Sequence, residues 1–395
     1  MKFLSFQSKY IDKTNLKFFK ISIYALLALI SIFDFSFCIL KQFPDIPDHN
    51  AFAFAVFHGH EVLPVHFLYF LILQIPQLFF KNIIAVHIFS VIILTLSVLY
   101  KYKISQRIFS NSLQDSVSAD FLAKKSVLFF CLLIPFLVMI SENIIWKFSA
   151  TMFLGYIPLN TWHNSTTIFL MPFALLLFYQ SYQYLLHPDS KKLWIILFLI
   201  LLNLIIKPSF FMSFIIAFPL FCLLRFGLSK FFFLAAGITF IGALGLLVES
   251  KIGVYIGSTV ISIKIAPFSV WAHWSDNIPL SFLSSLLFPL VFMIVYFKEV
   301  KNNLLLKYSI ALFTVALLVY IIFTESGIRQ FDANFAWQII ICYYILFLTT
   351  AIAFYKQCAT KISLHIKDKI LLLIFCAHIF TGIIYILKSP IFGFR

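Results

Sequence analysis

The chain has 395 residues, of which 62% are hydrophobic and 11% charged, with a mean hydropathy of +1.00 and a formal net charge of +15. This composition excludes a soluble globular domain, and it places the Lys and Arg excess in cytoplasmic loops rather than against nucleic acid. The six cysteines (Cys38, Cys131, Cys222, Cys342, Cys358 and Cys376) are scattered without a CxxC pair, which argues against a thiolate metal site or a disulfide framework.

Apolar runs near the roughly 20 residues that cross a bilayer recur along the whole chain. They predict one all-α, polytopic membrane domain over residues 1–395, with no separate soluble domain. Lys2, Lys9, Lys13, Lys17 and Lys20 put the N-terminus in the cytoplasm, and 18–40 is read as a retained first span rather than a signal peptide. The run 64–80 holds Pro64, His66, Gln74, Pro76 and Gln77, which suits an interfacial or re-entrant helix better than a lipid-exposed span. Span two is then 83–100, followed by a basic loop over 101–125. The remaining spans fall at 126–141, 166–186, 193–206, 209–226, 231–248, 280–297, 309–324, 338–355 and 370–387. This makes about eleven spans, with the C-terminus outside. It leaves 21 of the 30 Lys and Arg in the cytoplasm, whereas counting 64–80 as a span leaves only 13. The outer face would carry a first loop at 41–82 with juxtamembrane helices, and later loops at 142–165, 249–279 and 325–337.

The first outer loop concentrates ionisable groups: Asp45, Asp48, His49, His58, His60, Glu61 and His66. Such groups are costly beside lipid, so the cluster marks a candidate site; the plainer reading is a solvated loop capping a helix. In loop 142–165, Trp162-His163-Asn164 precedes a span. Either Asn164 or Ser165 caps that helix, or the helix N-terminus forms an anion pocket. Lys207 sits between two spans, where it snorkels or contacts a phosphate. In the last loop Arg329 lies between Glu325 and Asp332. It suits bidentate phosphate binding, or else a local pair with Glu325. Trp271 and His273 in loop 249–279 suit sugar stacking or an interfacial loop equally.

Asp48-His49, then Gly59, then Pro64-Val65-His66-Phe67-Leu68-Tyr69 resemble the first outer loop of the GT-C superfamily of membrane glycosyltransferases over roughly residues 15–125. Beyond that the likeness is one of span count and loop order. The usual second acidic residue beside the first is missing unless Asp45 serves. The resemblance implies an inverting transferase that takes a sugar from a polyprenyl-(di)phosphate donor on the outer face of a bacterial inner membrane, in cell-surface polysaccharide or glycolipid assembly. It implies catalytic roles for Asp48, Asp45 and His49. Arg329, Lys207 and His163 would meet the donor phosphate, and Glu325, Asn334, Trp162, Trp271 and His273 would line the substrate. The implied partners are the lipid-linked donor, a glycan or glycolipid acceptor, and membrane lipid. Asp48 or Asp45 would act as base directly or through a divalent metal. An O-antigen polymerase is the nearest alternative. A lipid-linked oligosaccharide transporter without chemistry is the second, and it would place charges mid-span and show paired repeats.

Overall fold

A computed structural model describes residues 13–43, 45–114, 125–145, 152–255, 262–359 and 361–392. Of the basic residues used to orient the chain, Lys2, Lys9, Lys124, Lys147 and Arg395 lie outside the described residues.

The chain folds as a helical bundle. Its elements are α1 (Lys13–Leu40), α2 (Ile46–Phe57), α3 (Leu68–Leu73), α4 (Ile83–Gln114), α5 (Lys125–Ile140), α6 (Ser165–Leu186), α7 (Ser190–Ile206), α8 (Ser209–Phe226), α9 (Lys230–Tyr255), α10 (Ile278–Val295), α11 (Leu304–Ile322), α12 (Ala336–Ala359) and α13 (Ile366–Phe392). Nine of them, among the described residues, are long and apolar enough to cross a membrane: α1, α4, α6 and α8 through α13. The other two expected spans are the shorter helices α5 and α7, with 16 and 17 residues. At about 1.5 Å per residue, each falls short of the roughly 30 Å hydrocarbon layer.

Helix starts follow a shared logic. Asn164, Asp189, Asn277 and Asn303 each place a side-chain oxygen on a free first-turn N–H, at 3.0, 3.2, 3.0 and 3.1 Å. That satisfies a donor the helix cannot satisfy itself. The axis of the bundle is α12, whose span is 94% buried, whereas α9 at the periphery is 17% buried. The sequence of α12 is apolar on every face, as a helix surrounded by helices must be. Its few polar groups bond sideways: Gln338 Oε1 accepts from Ser213 Oγ of α8 at 2.8 Å, and Thr349 pairs with Ser309 of α11 at 2.7 Å.

Three expectations need correction, and one small element was not expected. The basic loop expected at 101–125 is helical to Gln114, because no Pro or Gly interrupts 101–114, and Lys101 is buried inside the bundle. The aromatic helix expected to open at Pro64 begins at Leu68 and stops at Leu73, followed by a 3-10 turn at Ile75–Leu78. Gly59, at φ 78°, does follow the end of α2 as expected. The outer loop 142–165 is drawn inward: Ser141, Glu142, Asn143 and 157–164 are buried. Finally, a two-stranded antiparallel pair joins β1 (Ile263–Ile265) to β2 (Phe323–Glu325), with Lys264 opposite Thr324.

The inward turn after α5 depends on Gly382 in the middle of α13. A Cβ there would lie 1.8 Å from the Ile140 carbonyl oxygen and 2.9 Å from the Glu142 nitrogen. Those obstacles are backbone and cannot swing away. Gly382→Ala should therefore lower the unfolding temperature in detergent by the equivalent of at least about 1–3 kcal/mol, the usual range for overpacking. An unchanged melt would show that α5 does not cross α13 at this point.

Candidate functional site

Five chain segments meet at the end of the bundle where α6, α8 and α12 begin. They enclose a cavity of about 650 Å³, within the usual size range of small-molecule sites.

The first wall comes from the start of α2. Asp45 is its N-cap residue and holds φ 79°, a left-handed conformation that Asp and Asn tolerate better than most residues. The Asp45 backbone N–H points at the Asp48 carboxylate, 3.4 Å away, as the return half of a capping box, and the Asp45 side chain lines the cavity. There its Oδ2 accepts from Asn164 Nδ2 at 3.0 Å and lies 3.9 Å from His163 Nε2. One turn on, His49 Nδ1 meets Ser165 Oγ at 2.6 Å, with Phe70 set edge-on to the ring at 5.5 Å.

The second wall is the segment before α6, held by buried polar bonds. Glu142 accepts from the backbone N–H groups of Asn160 (2.7 Å), Leu159 (2.9 Å) and Asn143 (3.1 Å). Its own N–H donates to the His378 carbonyl midway along α13, and His378 Nδ1 donates back to the Glu142 carbonyl. Lys101 Nζ donates to Asn160 Oδ1 at 2.7 Å and lies 3.7 Å from the centre of the Tyr344 ring. Burial pushes the Glu142 carboxyl up to about 7, opposed by its three N–H donors and by Lys101. This clamp fixes the backbone that presents His163 and Asn164 to the cavity.

Asn164 is the hub. Its Nδ2 holds Asp45. Its Oδ1 accepts from Thr167 N, Thr166 Oγ1, Thr167 Oγ1 and Lys207 Nζ at 2.7–3.1 Å. Lys207, the C-cap residue of α7, also donates to the hydroxyls of Thr166 (3.2 Å) and Thr167 (2.8 Å) and lies 4.4 Å from the centre of the Trp337 ring. These partners are neutral, and the nearest carboxylate, Asp45, is reached only through Asn164. Burial therefore pushes the Lys207 ammonium down to about 7, against a smaller upward pull from Asp45. Burial likewise lowers His49 and His163 to about 4, so both rings are neutral at physiological pH.

The opposite wall is the α11–α12 connection. Arg329 Nε lies 3.1 Å from Asp332 and 3.7 Å from Glu325, and Asn334 Nδ2 donates to Glu325 at 2.7 Å. The Arg329 side chain is about half exposed, at 46%, and lines the cavity. At the rim, Glu249 of α9 pairs with His66 at 3.6 Å.

The fold thus brings together Asp45, His49, His163, Lys207, Glu325, Arg329 and Asn334. The remaining candidates lie elsewhere. Asp48 is exposed and serves the α2 start. Trp162 is buried against Phe35. Trp271 is buried, donating to the Gly155 carbonyl, and His273 stacks on Phe331 at 3.9 Å. With the Trp274 bond to the Phe331 carbonyl and the β1–β2 pair, these aromatics brace the Arg329 connection instead of lining a sugar site. The sequence placed His66 in the candidate cluster of the first loop but gave no site role to Glu249 or Trp337, and it missed the hub role of Asn164, although the capping signature of Asn164 was visible. Among the described residues no three His, Cys, Asp or Glu side chains gather as metal ligands, and no step is assigned to a metal.

No protein-family model and no curated protein matches the chain.

Proposed function

We propose that the cavity transfers a sugar from a polyprenyl-phosphate or polyprenyl-diphosphate carrier to an acceptor hydroxyl. The observation that carries this reading is that Asp45, Lys207 and Arg329 line a single cavity, where Glu325 and Asp332 hold Arg329 and Glu249 pairs with His66, leaving Asp45 as the carboxylate without a cation bonded to it directly. Asp45 takes the base role in preference to Asp48, because its carboxylate faces the cavity. It accepts the proton of the acceptor hydroxyl, whose oxygen then attacks the anomeric carbon. The bond from that carbon to the phosphate oxygen breaks, and the departing oxygen gains negative charge. The Arg329 guanidinium meets that charge, together with the Lys207 ammonium, which turns one of its N–H groups from Asn164, Thr166 or Thr167 to the phosphate. A single displacement inverts the anomeric centre. Neutral His49 and His163 position Asp45 and its surroundings without competing for the phosphate.

This reading places the cavity on the outer face of a bacterial inner membrane, with the N-terminus in the cytoplasm and eleven crossings. Cysteines introduced at His60 and Gly327, both exposed, should then react with an impermeant thiol reagent in intact cells lacking Cys376. A cysteine at exposed Lys298 should react only after permeabilisation. Labelling of the Lys298 position in intact cells would reverse the orientation.

One observation favours a second reading, a carrier of lipid-linked oligosaccharides. Lys101 and Glu142 are buried charged groups inside the bundle, and buried ionisable groups of that kind mark transport sites. Here each is bonded to its neighbours and fixes the backbone beside the cavity, and the sequence shows no internal repeat. Proteoliposomes given a lipid-linked sugar separate the two. Transfer yields free polyprenyl phosphate, whereas transport moves the intact linkage across the bilayer.

A further inference from the structure

A second cavity, of about 560 Å³, lies at the other end of the bundle, beside the α12–α13 turn. Ile134 and Leu137 of α5, Ala351 and Cys358 of α12, and Cys376 of α13 form its walls, with fully buried Phe288 of α10 as its floor. On α12 and α13 small side chains stand where larger ones would have closed the space. Cys376 and the neighbouring Leu372 are exposed, so the cleft opens sideways from the bundle. In a bilayer such an opening faces acyl chains, and water gains no partners on its apolar walls.

Lys361 is the charged residue in the lining and stands at the mouth. It donates to the fully buried Asp368 carboxylate at 2.6 Å and to Tyr296 Oη at 2.8 Å. An ammonium carries three N–H donors, so one remains for a ligand. The residues around the mouth are strongly basic. Between Lys356 and Lys369 there are four lysines and a single acid, Asp368, and Lys367 and Lys369 are exposed.

We infer that this cleft binds one molecule of anionic phospholipid, with an acyl chain between α5, α12 and α13 and the phosphate at Lys361, Lys367 and Lys369. Two features select this occupant. The apolar slot ends in a cationic mouth at helix-end level, which matches the layout of a phospholipid. The slot is also too small for a partner helix: two turns, about 11 Å long and 10 Å across, displace roughly 850 Å³. The inference is independent of the chemistry proposed for the polar cavity.

Native mass spectrometry of the detergent-purified chain tests it, using phosphatidylglycerol and phosphatidylcholine with identical acyl chains. The wild type should retain one phosphatidylglycerol at about thirtyfold lower lipid concentration than phosphatidylcholine, in line with two lysines near an anionic head at about 1 kcal/mol each. Cys376→Trp, which fills the slot from an exposed position, should abolish that adduct without lowering the unfolding temperature. If it unfolds the protein instead, Lys367→Gln with Lys369→Gln decides the matter. Both lysines are exposed, Lys367 resting on the Tyr296 ring at 4.9 Å, and their loss should bring the two lipids within about twofold of each other, since each lysine near the surface contributes about 1 kcal/mol. Equal retention of both lipids by the wild type would overturn the inference. So would an adduct that survives in both variants, or a dimer lost on filling the slot.

Discussion

Asp45→Asn should reduce sugar transfer by about 10²–10⁴-fold, the usual contribution of a general base. The substituted amide keeps the size of the carboxylate, and its oxygen still accepts from Asn164 Nδ2, so insertion and unfolding temperature should not change. The loss should appear in turnover at saturating donor, because the proton moves only as the acceptor attacks. Asp48→Asn is the matched control. Asp48 is exposed, and its oxygen only accepts the Asp45 N–H at 3.4 Å. An amide oxygen does the same, and activity should remain within about twofold, as befits a surface change of under 0.5 kcal/mol. A dead Asp48→Asn beside an active Asp45→Asn would return the base role to Asp48 and require α2 to turn in the complex. Full activity in both would remove this loop from the chemistry.

Lys207→Met should cost most of the affinity for a phosphate-bearing carrier without costing stability. The ammonium is held well below its ordinary value by burial. The unfolded chain therefore binds more protons than the folded one between pH 7 and 10.5, and folding stability rises with pH across that window. Replacing this lysine with an apolar side chain of similar length removes a desolvated charge, and Asn164 Oδ1 keeps three other donors. The folded protein should melt no lower than wild type. Binding of polyprenyl phosphate has its own pH signature. In the wild type, affinity should fall as pH rises through about 7, where the free site loses its Lys207 proton. In Lys207→Met the affinity should be low throughout, and this fall should vanish. Arg329→Lys, which retains charge but loses the fork, should sit between wild type and Arg329→Ala. If Lys207→Met binds polyprenyl phosphate like the wild type, the second cation has no role in the site. Arg329 alone would then hold the phosphate.

What the sequence made legible was set by periodicity and charge. Long apolar runs identify the helices because a bilayer leaves backbone groups few other ways to be satisfied. The same reasoning failed at Lys101, where a lysine after an apolar run was taken as a loop signal. Its partners, Asn160 and Tyr344, are distant in sequence, and nothing local shows that a cation can be buried there. Glu142 failed for the same reason: the three backbone N–H groups that hold it inside leave no mark on composition. The cavity itself was partly legible, since Asp45, His163, Lys207 and Arg329 stand out as polar residues at helix ends. The placement of Asp45 in the cavity lining and of Asp48 on the surface was not, because it depends on the backbone at the start of α2, where Asp45 holds a φ of 79°. Trp271 and His273 were left open between two readings, because an aromatic residue that braces a loop and one that stacks on a sugar look alike in sequence.

The most direct measurement is the position of the phosphate in a cryo-electron microscopy map of the protein with polyprenyl phosphate, the carrier left behind whichever sugar is transferred. The proposed function predicts phosphate density in the polar cavity, within hydrogen-bond distance of the Arg329 terminal nitrogens and Lys207 Nζ, with the Asp45 carboxylate facing the open side. Phosphate density away from both cations, or a polar cavity left empty at saturating carrier, would contradict it.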